Sequence, residues 1–366
     1  MNLNLQFFPS RTIAFYMGRM FLIRCLAVLA ALVIVLQTLD LLGESGKILE
    51  YAGNSDAQLW YYVSLRFPQI VARFLPFSVL LGTLITFVTL NQNSEVISMK
   101  AAGISAHQII APLVLTSLAI AILTFVFQER VVTRATAELT LWESVDYGPI
   151  PPERGLVTNV WVKHGEDLIH AGQVYGKGAS TRLRDVTLFD RTGGTLVREI
   201  RAAGGVREGD AWRLTNVHLF DVTSGQEQIL ASTLIGKGVT TDQFTMSSVD
   251  PDEQDFTQLR RSIHELSVSG RPTDSLEASL WHKLAGPLSA ILMPLLGGVA
   301  AFGLARSGKL LLRAILGMAL GFAYFVIDNF ALAMGNFGAY PPWLAAFAPF
   351  ALFILIGETV LIRTEE

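Results

Sequence analysis

The sequence is short of the residues that carry most protein chemistry. Its 366 residues include one cysteine, Cys25, which rules out an intramolecular disulfide and a cysteine-based metal site. Charged residues make up only 16% of the chain, and 28 Lys and Arg against 31 Asp and Glu give a formal net charge of −3. With no basic excess to neutralise a phosphate backbone, nucleic acid is not an expected partner. The histidines, at 107, 164, 170, 218, 264 and 282, show neither H-E-x-x-H nor any paired-ligand spacing. No G-x-S-x-G nucleophile elbow occurs. "GLARSGKL", Gly303 to Leu310, fits seven positions of the G-x-x-x-x-G-K-[ST] phosphate loop. Leu310 then stands where that loop needs a Mg²⁺-holding hydroxyl, and a membrane-type helix precedes it instead of a strand. It reads as a cytoplasmic turn carrying positive charge. No catalytic residue, metal site or chain-bound cofactor is expected.

Apolar residues are what the chain has in excess. They make up 51% of it, and the mean hydropathy is +0.44, more than a soluble core of this length needs. A helix crosses the hydrocarbon core with about 20 apolar residues. Six runs suffice, starting at Cys25, Phe74, Gln108, Leu284, Leu310 and Pro341. The predicted layout is three spans in 1–128, an insert in 129–283 and three spans in 284–366. No small-residue cleavage site follows Leu42, so the first run reads as an uncleaved anchor. Arg11, Arg19 and Arg24 precede span one, Arg306, Lys309 and Arg313 surround the turn between spans four and five, and Arg363 follows span six. All fall on one side, which the positive-inside rule makes cytoplasmic. Both termini are then cytoplasmic and the insert lies on the outer, periplasmic or extracellular side.

The insert changes character. "LVTNVWVK", "LIHAGQVY", "DVTLFD" and "AWRLTNVHLFD" are short, partly alternating and rich in β-branched and aromatic residues, with turn sequences such as "HGED", "RTGG" and "REGD" between. The expected fold is an antiparallel β sandwich or jelly roll flanked by helical turns. Its alternation fits a closed core and an open apolar trough equally well.

Ionisable residues at membrane depth are costly and usually face a cavity or a protein partner. Arg66 and Arg73 enter the outer half of span two seven residues apart, on one helical face, while Asp40 and Asp328 end spans one and five near the same outer surface. They define either an outward polar cluster or a set of snorkelling and interfacial side chains. "GMALG", Gly317 to Gly321, is a small-xxx-small pattern for close helix packing.

On the opposite surface, "SEVISMKAAGIS" separates spans two and three. Ser94 is a candidate N-cap, Glu95 meets the positive end of the helix dipole, and Val96, Met99 and Gly103 share a face. Gly103 can end the helix, and Ser105 with Gln108 can cap span three. A helix lying on lipid normally has a Lys- or Arg-rich face, whereas this one has a single Lys100. A cytoplasmic protein partner is the better expectation.

"LNQNSEVISMKAAGIS" resembles the coupling-helix motif of the LptF/LptG lipopolysaccharide export permeases. The likeness extends through "VWVKHGEDLIHAGQV", "WRLTNVHLFD", "LWHKLAGPLSAILMPLL", "LGFAYFVIDNF" and "YPPWLAAFAP", and "FVIDNF" with the ending of "KAAGIS" favours the LptG branch. The resemblance implies a polytopic α-helical protein of the Gram-negative bacterial inner membrane, six spans in a 3+3 arrangement, with an inserted periplasmic jelly roll whose interior is an apolar trough. It implies a permease subunit of an ATP-binding-cassette exporter serving outer-membrane biogenesis, with ATP and Mg²⁺ held by a separate cytoplasmic ATPase dimer. Further implied partners are a paralogous LptF-type permease, periplasmic jelly-roll proteins of the LptC/LptA type, and lipopolysaccharide itself. Ser94, Glu95, Val96, Met99 and Gly103 would form the ATPase-coupling site. Where the LptG branch has basic residues near the outer end of the first helix, this sequence has Gln37, Gly43 and Glu44, leaving Lys47. Arg66 and Arg73 are therefore the expected anion contacts, within a substrate cavity of Asp40, Lys47, Arg66, Arg73, Phe74, Phe77, Phe325 and Asp328.

Two other classes compete. A secondary transporter needs ion sites near the midplane and an internal repeat, and the central parts of these spans carry no charge. A membrane-anchored assembly or scaffold protein with a periplasmic β domain would need no cavity and no Glu95.

Overall fold

The computed structural model describes residues 10–149, 157–176, 180–222, 224–241, 244, 249–268, 271–302 and 310–365. Residues 303–309, with Arg306, Lys309 and most of the "GLARSGKL" match, lie outside the described residues. There are two compact units. One is the chain up to Leu139 together with Pro251 onward, and the other is Thr140–Asp250.

The first unit is helical: α1 (Arg11–Glu50), α2 (Asp56–Gln92), α3 (Glu95–Ala101), α4 (Ala106–Phe127), a π-helical turn (Gln128–Val132) running into α5 (Thr133–Ser144), α6 (Phe256–Val268), α7 (Asp274–Phe302), α8 (Leu310–Asn336) and α9 (Pro342–Glu365). Among the described residues five helical stretches are long and apolar enough to cross a membrane: Arg11–Glu50, Asp56–Gln92, Ala106–Ser144, Ile315–Asn336 and Pro342–Arg363. The run expected as span four lies in α7, whose 29 residues rise roughly 44 Å at about 1.5 Å each. α7 is the hub, packing on α2, α4, α8 and α9.

One apolar cluster threads the unit, with Phe21 of α1, Phe87 of α2, Val96 of α3, Leu113 of α4, Met293 of α7, Tyr324 of α8 and Phe353 of α9. Helices associating in lipid gain from close backbone approach more than from hydrophobic burial, which favours small residues at crossings. A Cβ on Gly82 would lie 2.5 Å from the Cys25 sulfur and 3.0 Å from its Cα, and one on Gly321, the second glycine of "GMALG", would lie 2.1 Å from Leu80. Phe15, Ile23, Ile34, Val35 and Leu39 of α1 are exposed, as expected of a helix that is apolar all round.

The second unit is a six-stranded antiparallel meander in the order β1 to β6: β1 (Val157–His164), β2 (Asp167–Tyr175), β3 (Arg182–Thr192), β4 (Thr195–Glu208), β5 (Ala211–Asp221) and β6 (Gln226–Ile235). Each strand pairs antiparallel with the next. Thr192 pairs with Thr195 across Gly193 and Gly194, both at positive φ, as a two-residue hairpin whose twist matches its strands requires. Among the described residues β1 and β6 do not pair, so the sheet is not closed into a barrel.

A single meander should leave one face bare, yet Val160, Ile169, Val186, Ile200, Leu214 and Val217 from five strands share one buried core. A phase slip explains this. Buried positions run 169, 171, then 174 in β2; 183, then 186 and 188 in β3; 200, 202, then 205 in β4; and 212, 214, then 217 in β5. Each strand breaks its two-residue alternation once, and the register places the breaks on one line through Gly172, Asp185, Ala203 and Asn216, with Asn159 of β1 at its end. Asn159, Asp185 and Asn216 are left-handed, each with φ of 53°, a conformation Asn and Asp tolerate best among residues with a side chain. The crease turns both halves of the strands toward one interior. Val239 and Phe244, after β6, help to close it, and the Trp212 indole N–H donates to the Val239 carbonyl at 3.0 Å.

Candidate functional site

Two places in the helical unit gather the residues singled out from sequence. The first is α3 and its flanks. Ser94 occupies the N-cap position but is left-handed (φ 59°) and makes no side-chain cap bond. Its carbonyl instead accepts from the Ser98 backbone N–H and hydroxyl, each at 3.0 Å. Glu95 sits in the first turn, and its Oε1 accepts from Asn93 Nδ2 at 3.1 Å and from the Tyr16 hydroxyl of α1 at 3.3 Å. Val96 is 4% exposed within the main core, and Met99 packs against it. Gly103 has φ of 83°, its N–H bonds the Lys100 carbonyl, and the Ile104 N–H reaches back to Met99. That pair of bonds is a Schellman ending, which needs the left-handed residue that glycine supplies. Ser105 and Gln108 form the expected reciprocal capping box on α4. The other face of α3 presents Ile97, 64% exposed, with Ser98 and Lys100, so it is not strongly basic.

Just past the turn, His107 Nε2 lies 3.1 Å from Glu358 Oε2, joining α4 to α9.

The second place lies among α2, the α4–π junction, α7 and α8. A cavity of about 370 Å³ is lined by Arg73, Phe74, Phe77, Gln128, His282, Ser289, Phe325, Asp328 and Asn329, among others. Five of the eight sequence-predicted cavity residues thus meet there. Phe77 and Phe325 stack with centroids 4.0 Å apart, and Phe74 lies 6.1 Å from Phe77. The aromatic wall therefore comes from two helices. Asp328 is buried, and its Oδ2 is 3.0 Å from His282 Nε2.

The other three predicted residues stand apart. Arg66 binds Asp40 through Nε and Nη2 at 3.0–3.2 Å, the Tyr62 hydroxyl donates to Asp40 at 2.7 Å, and Arg66 also donates to Gln69. Lys47 pairs with Glu44 at 3.0 Å. Arg73 is exposed and, among the described residues, has no hydrogen bond or ion pair with this chain. One of the two span-two arginines is therefore neutralised within the fold and the other is not.

Sequence reasoning did not single out Tyr16, Gln128, His282 or Asn329. The partners of His282 and Tyr16 lie on other helices, 46 and 79 residues away, so no local spacing announces them. Near the cavity, the helix passes through the π turn at Gln128–Val132, a break in helical register of the kind that often marks functional positions. Glu129, in that turn, accepts the Phe256 N–H at 2.6 Å and stands 4.0 Å from buried Lys283.

Long apolar helices with a creased β domain inserted between their halves define a polytopic helical membrane protein with a β insert. The particular family follows from comparison. The model of the lipopolysaccharide export system permease family LptF/LptG matches residues 15–363, and the chain belongs to that family. Among its relatives is the lipopolysaccharide export system permease protein LptG of Escherichia coli K12, 26% identical over 311 residues, 82% of this chain and 84% of that protein. The LptG of Haemophilus influenzae Rd is 24% identical over 355 residues, 93% of this chain and 97% of that protein. The family resemblance seen in the sequence therefore holds, including its lean toward the LptG branch.

Proposed function

We propose that this chain is the LptG-type permease subunit of an ATP-driven exporter in the inner membrane of a Gram-negative bacterium. It takes lipopolysaccharide from the membrane and passes it toward a periplasmic bridge. Both termini are cytoplasmic, the β unit is periplasmic, and the partners are an ATP-binding-cassette ATPase dimer, an LptF-type permease and jelly-roll proteins of the LptC/LptA type. ATP and Mg²⁺ belong to the ATPase, and this chain performs no covalent chemistry.

The observation that carries the reading, beyond family membership, is the build of α3. A seven-residue helix is too short to be stable alone. It is held by Val96 in the core, a Schellman ending and a capping box, while Glu95, Ile97 and Ser98 lie on its outer side. That is the build of a rigid docking element. Glu95 contacts the ATPase, and Val96, Met99 and Gly103 carry the displacement into α2 and α4.

At the cavity, Arg73 takes the anionic headgroup and Phe74, Phe77 and Phe325 the acyl chains, whereas Arg66 is held by Asp40 as a structural pair. The β unit offers its creased apolar interior to the chains in transit.

The test is gentle affinity purification of the tagged chain from native membranes, wild type against Glu95→Ala. Recovery of an ATP-binding-cassette ATPase and a second permease, with the ATPase depleted in the variant, supports the exporter. Recovery of neither from wild type leaves the scaffold reading in its place.

A further inference from the structure

The contact between Tyr16 and Glu95 joins the cytoplasmic end of α1 to the short helix that docks the ATPase, and it comes with a second, independent link. Met17 and Phe21 of α1 are fully buried in the cluster that takes Val96 of α3, and Ile13, Met20 and Met99 pack against the same cluster. The inner face of α1 therefore shares a core with α3 while its Tyr16 hydroxyl reaches the α3 carboxylate.

At Glu95 the two donors from this chain, the Tyr16 hydroxyl and Asn93 Nδ2, both fall on Oε1. Among the described residues no donor is found on Oε2. A carboxylate can accept on both oxygens, and a guanidinium or ammonium takes the vacant one most favourably when the group is already oriented. Fixing a side chain before binding removes an ordering cost from the association.

We propose that Tyr16 is a positioning residue of the coupling site: its hydroxyl, with Asn93, holds Oε1 of Glu95 so that Oε2 faces a cationic side chain of the ATPase, and it makes α1 a direct receiver of the coupling motion. This rests on the reading of α3 as the docking helix. Tyr16 is half exposed and its hydroxyl sits at the tip of the ring, so Tyr16→Phe removes the donor and leaves the ring's packing in place. At 3.3 Å the bond is long for O–H···O.

The experiment is a double-variant cycle on the intact complex purified from native membranes. Tyr16→Phe, Glu95→Gln and the double variant are compared with wild type by the molar ratio of ATPase to permease after a graded salt wash and by ATP hydrolysis per complex. Expected is a loss of retained ATPase on the order of three- to tenfold for Tyr16→Phe, a loss at least as large for Glu95→Gln, and no further loss in the double variant. Additive losses would overturn the proposal, because Tyr16 would then act apart from Glu95. An unchanged Tyr16→Phe beside an impaired Glu95→Gln would also overturn it, with the docking reading intact. An unchanged Glu95→Gln would remove the docking reading and this inference together. Asn93→Ala is the control for the second donor: it should mimic Tyr16→Phe, and full retention in both variants would show that Glu95 needs no positioning.

Discussion

Arg66 and Arg73 show how one residue type at one helical spacing takes two roles. Both are arginines on the N-terminal half of α2, and sequence treats them alike. The structure gives Arg66 a carboxylate, a tyrosine-supported one, and gives Arg73 the rim of the cavity. Breaking a partly buried pair strands the other charge, so Arg66→Glu should lower the amount of folded protein, while Arg73→Glu should leave the fold and lower lipopolysaccharide crosslinking and export, by about tenfold or more if the contact is charge-assisted. Crosslinking yield normalised to protein level separates the two. Equal loss per folded molecule would place Arg66 on the substrate as well. Gln37 allows the opposite sign. It is buried on α1, and neither amide atom has a partner among the described residues. Exchanging an unsatisfied amide for a hydrocarbon of similar size removes a desolvation cost of about 1–3 kcal/mol, so Gln37→Leu should raise the melting temperature in detergent.

At the level of elements, most helices could be read from sequence because twenty-residue apolar runs have few alternative structures. α3 could be read from its ends, although Ser94, left-handed at φ 59°, makes no side-chain cap bond. The sheet was legible as antiparallel strands, but its crease was not. Its crease breaks the very alternation from which strands are recognised, and "partly alternating" was the visible trace of it. The crease is testable: Asn216→Val forces a β-branched residue into the left-handed region at a cost of roughly 1–2 kcal/mol or more, whereas Asn216→Gly should be nearly neutral. Comparable melting of both variants would mean that the conformation at 216 carries no strain. Gly82 tests the helical unit in the same way. A Cβ at 82 would meet the Cys25 sulfur at 2.5 Å and its backbone at 3.0 Å, so Gly82→Ala should displace α1 from α2 and cost about 1–3 kcal/mol, even though alanine is the better helix former. α6 supplies a pH dependence outside the membrane. Asp255 caps it, accepting from the Thr257 hydroxyl at 2.6 Å and the Gln258 N–H at 2.8 Å, and the Thr257 bond above all holds its carboxyl below the usual range. A depressed carboxyl stabilises the fold above its unfolded pKa and ceases to do so as pH falls through the folded value. Asp255→Asn should therefore differ from wild type near neutrality and converge with it in acid.

For the whole molecule the decisive property is sidedness, because the proposed function needs α3 and the β unit in different compartments. The chain supplies a convenient instrument. Its single cysteine is 3% exposed within the helical core, so a membrane-impermeant maleimide should leave the native protein unlabelled and report only on cysteines introduced elsewhere. Lys100→Cys, on the exposed side of α3, tests one compartment; Arg198→Cys in β4, whose side chain is 48% exposed, and Lys47→Cys at the far end of α1 test the other. The positive-inside distribution predicts that Arg198→Cys and Lys47→Cys react in intact cells with a permeable outer membrane, and that Lys100→Cys reacts only after lysis. The reverse pattern would put Glu95 out of reach of any ATP-hydrolysing partner and dismiss the exporter mechanism whatever the family. The same three positions also examine an assumption that helix lengths cannot test. Length and composition mark candidate crossings only, and only an odd number of crossings between Lys100 and Arg198 permits a docking helix on one side to drive a lipid into a β domain on the other.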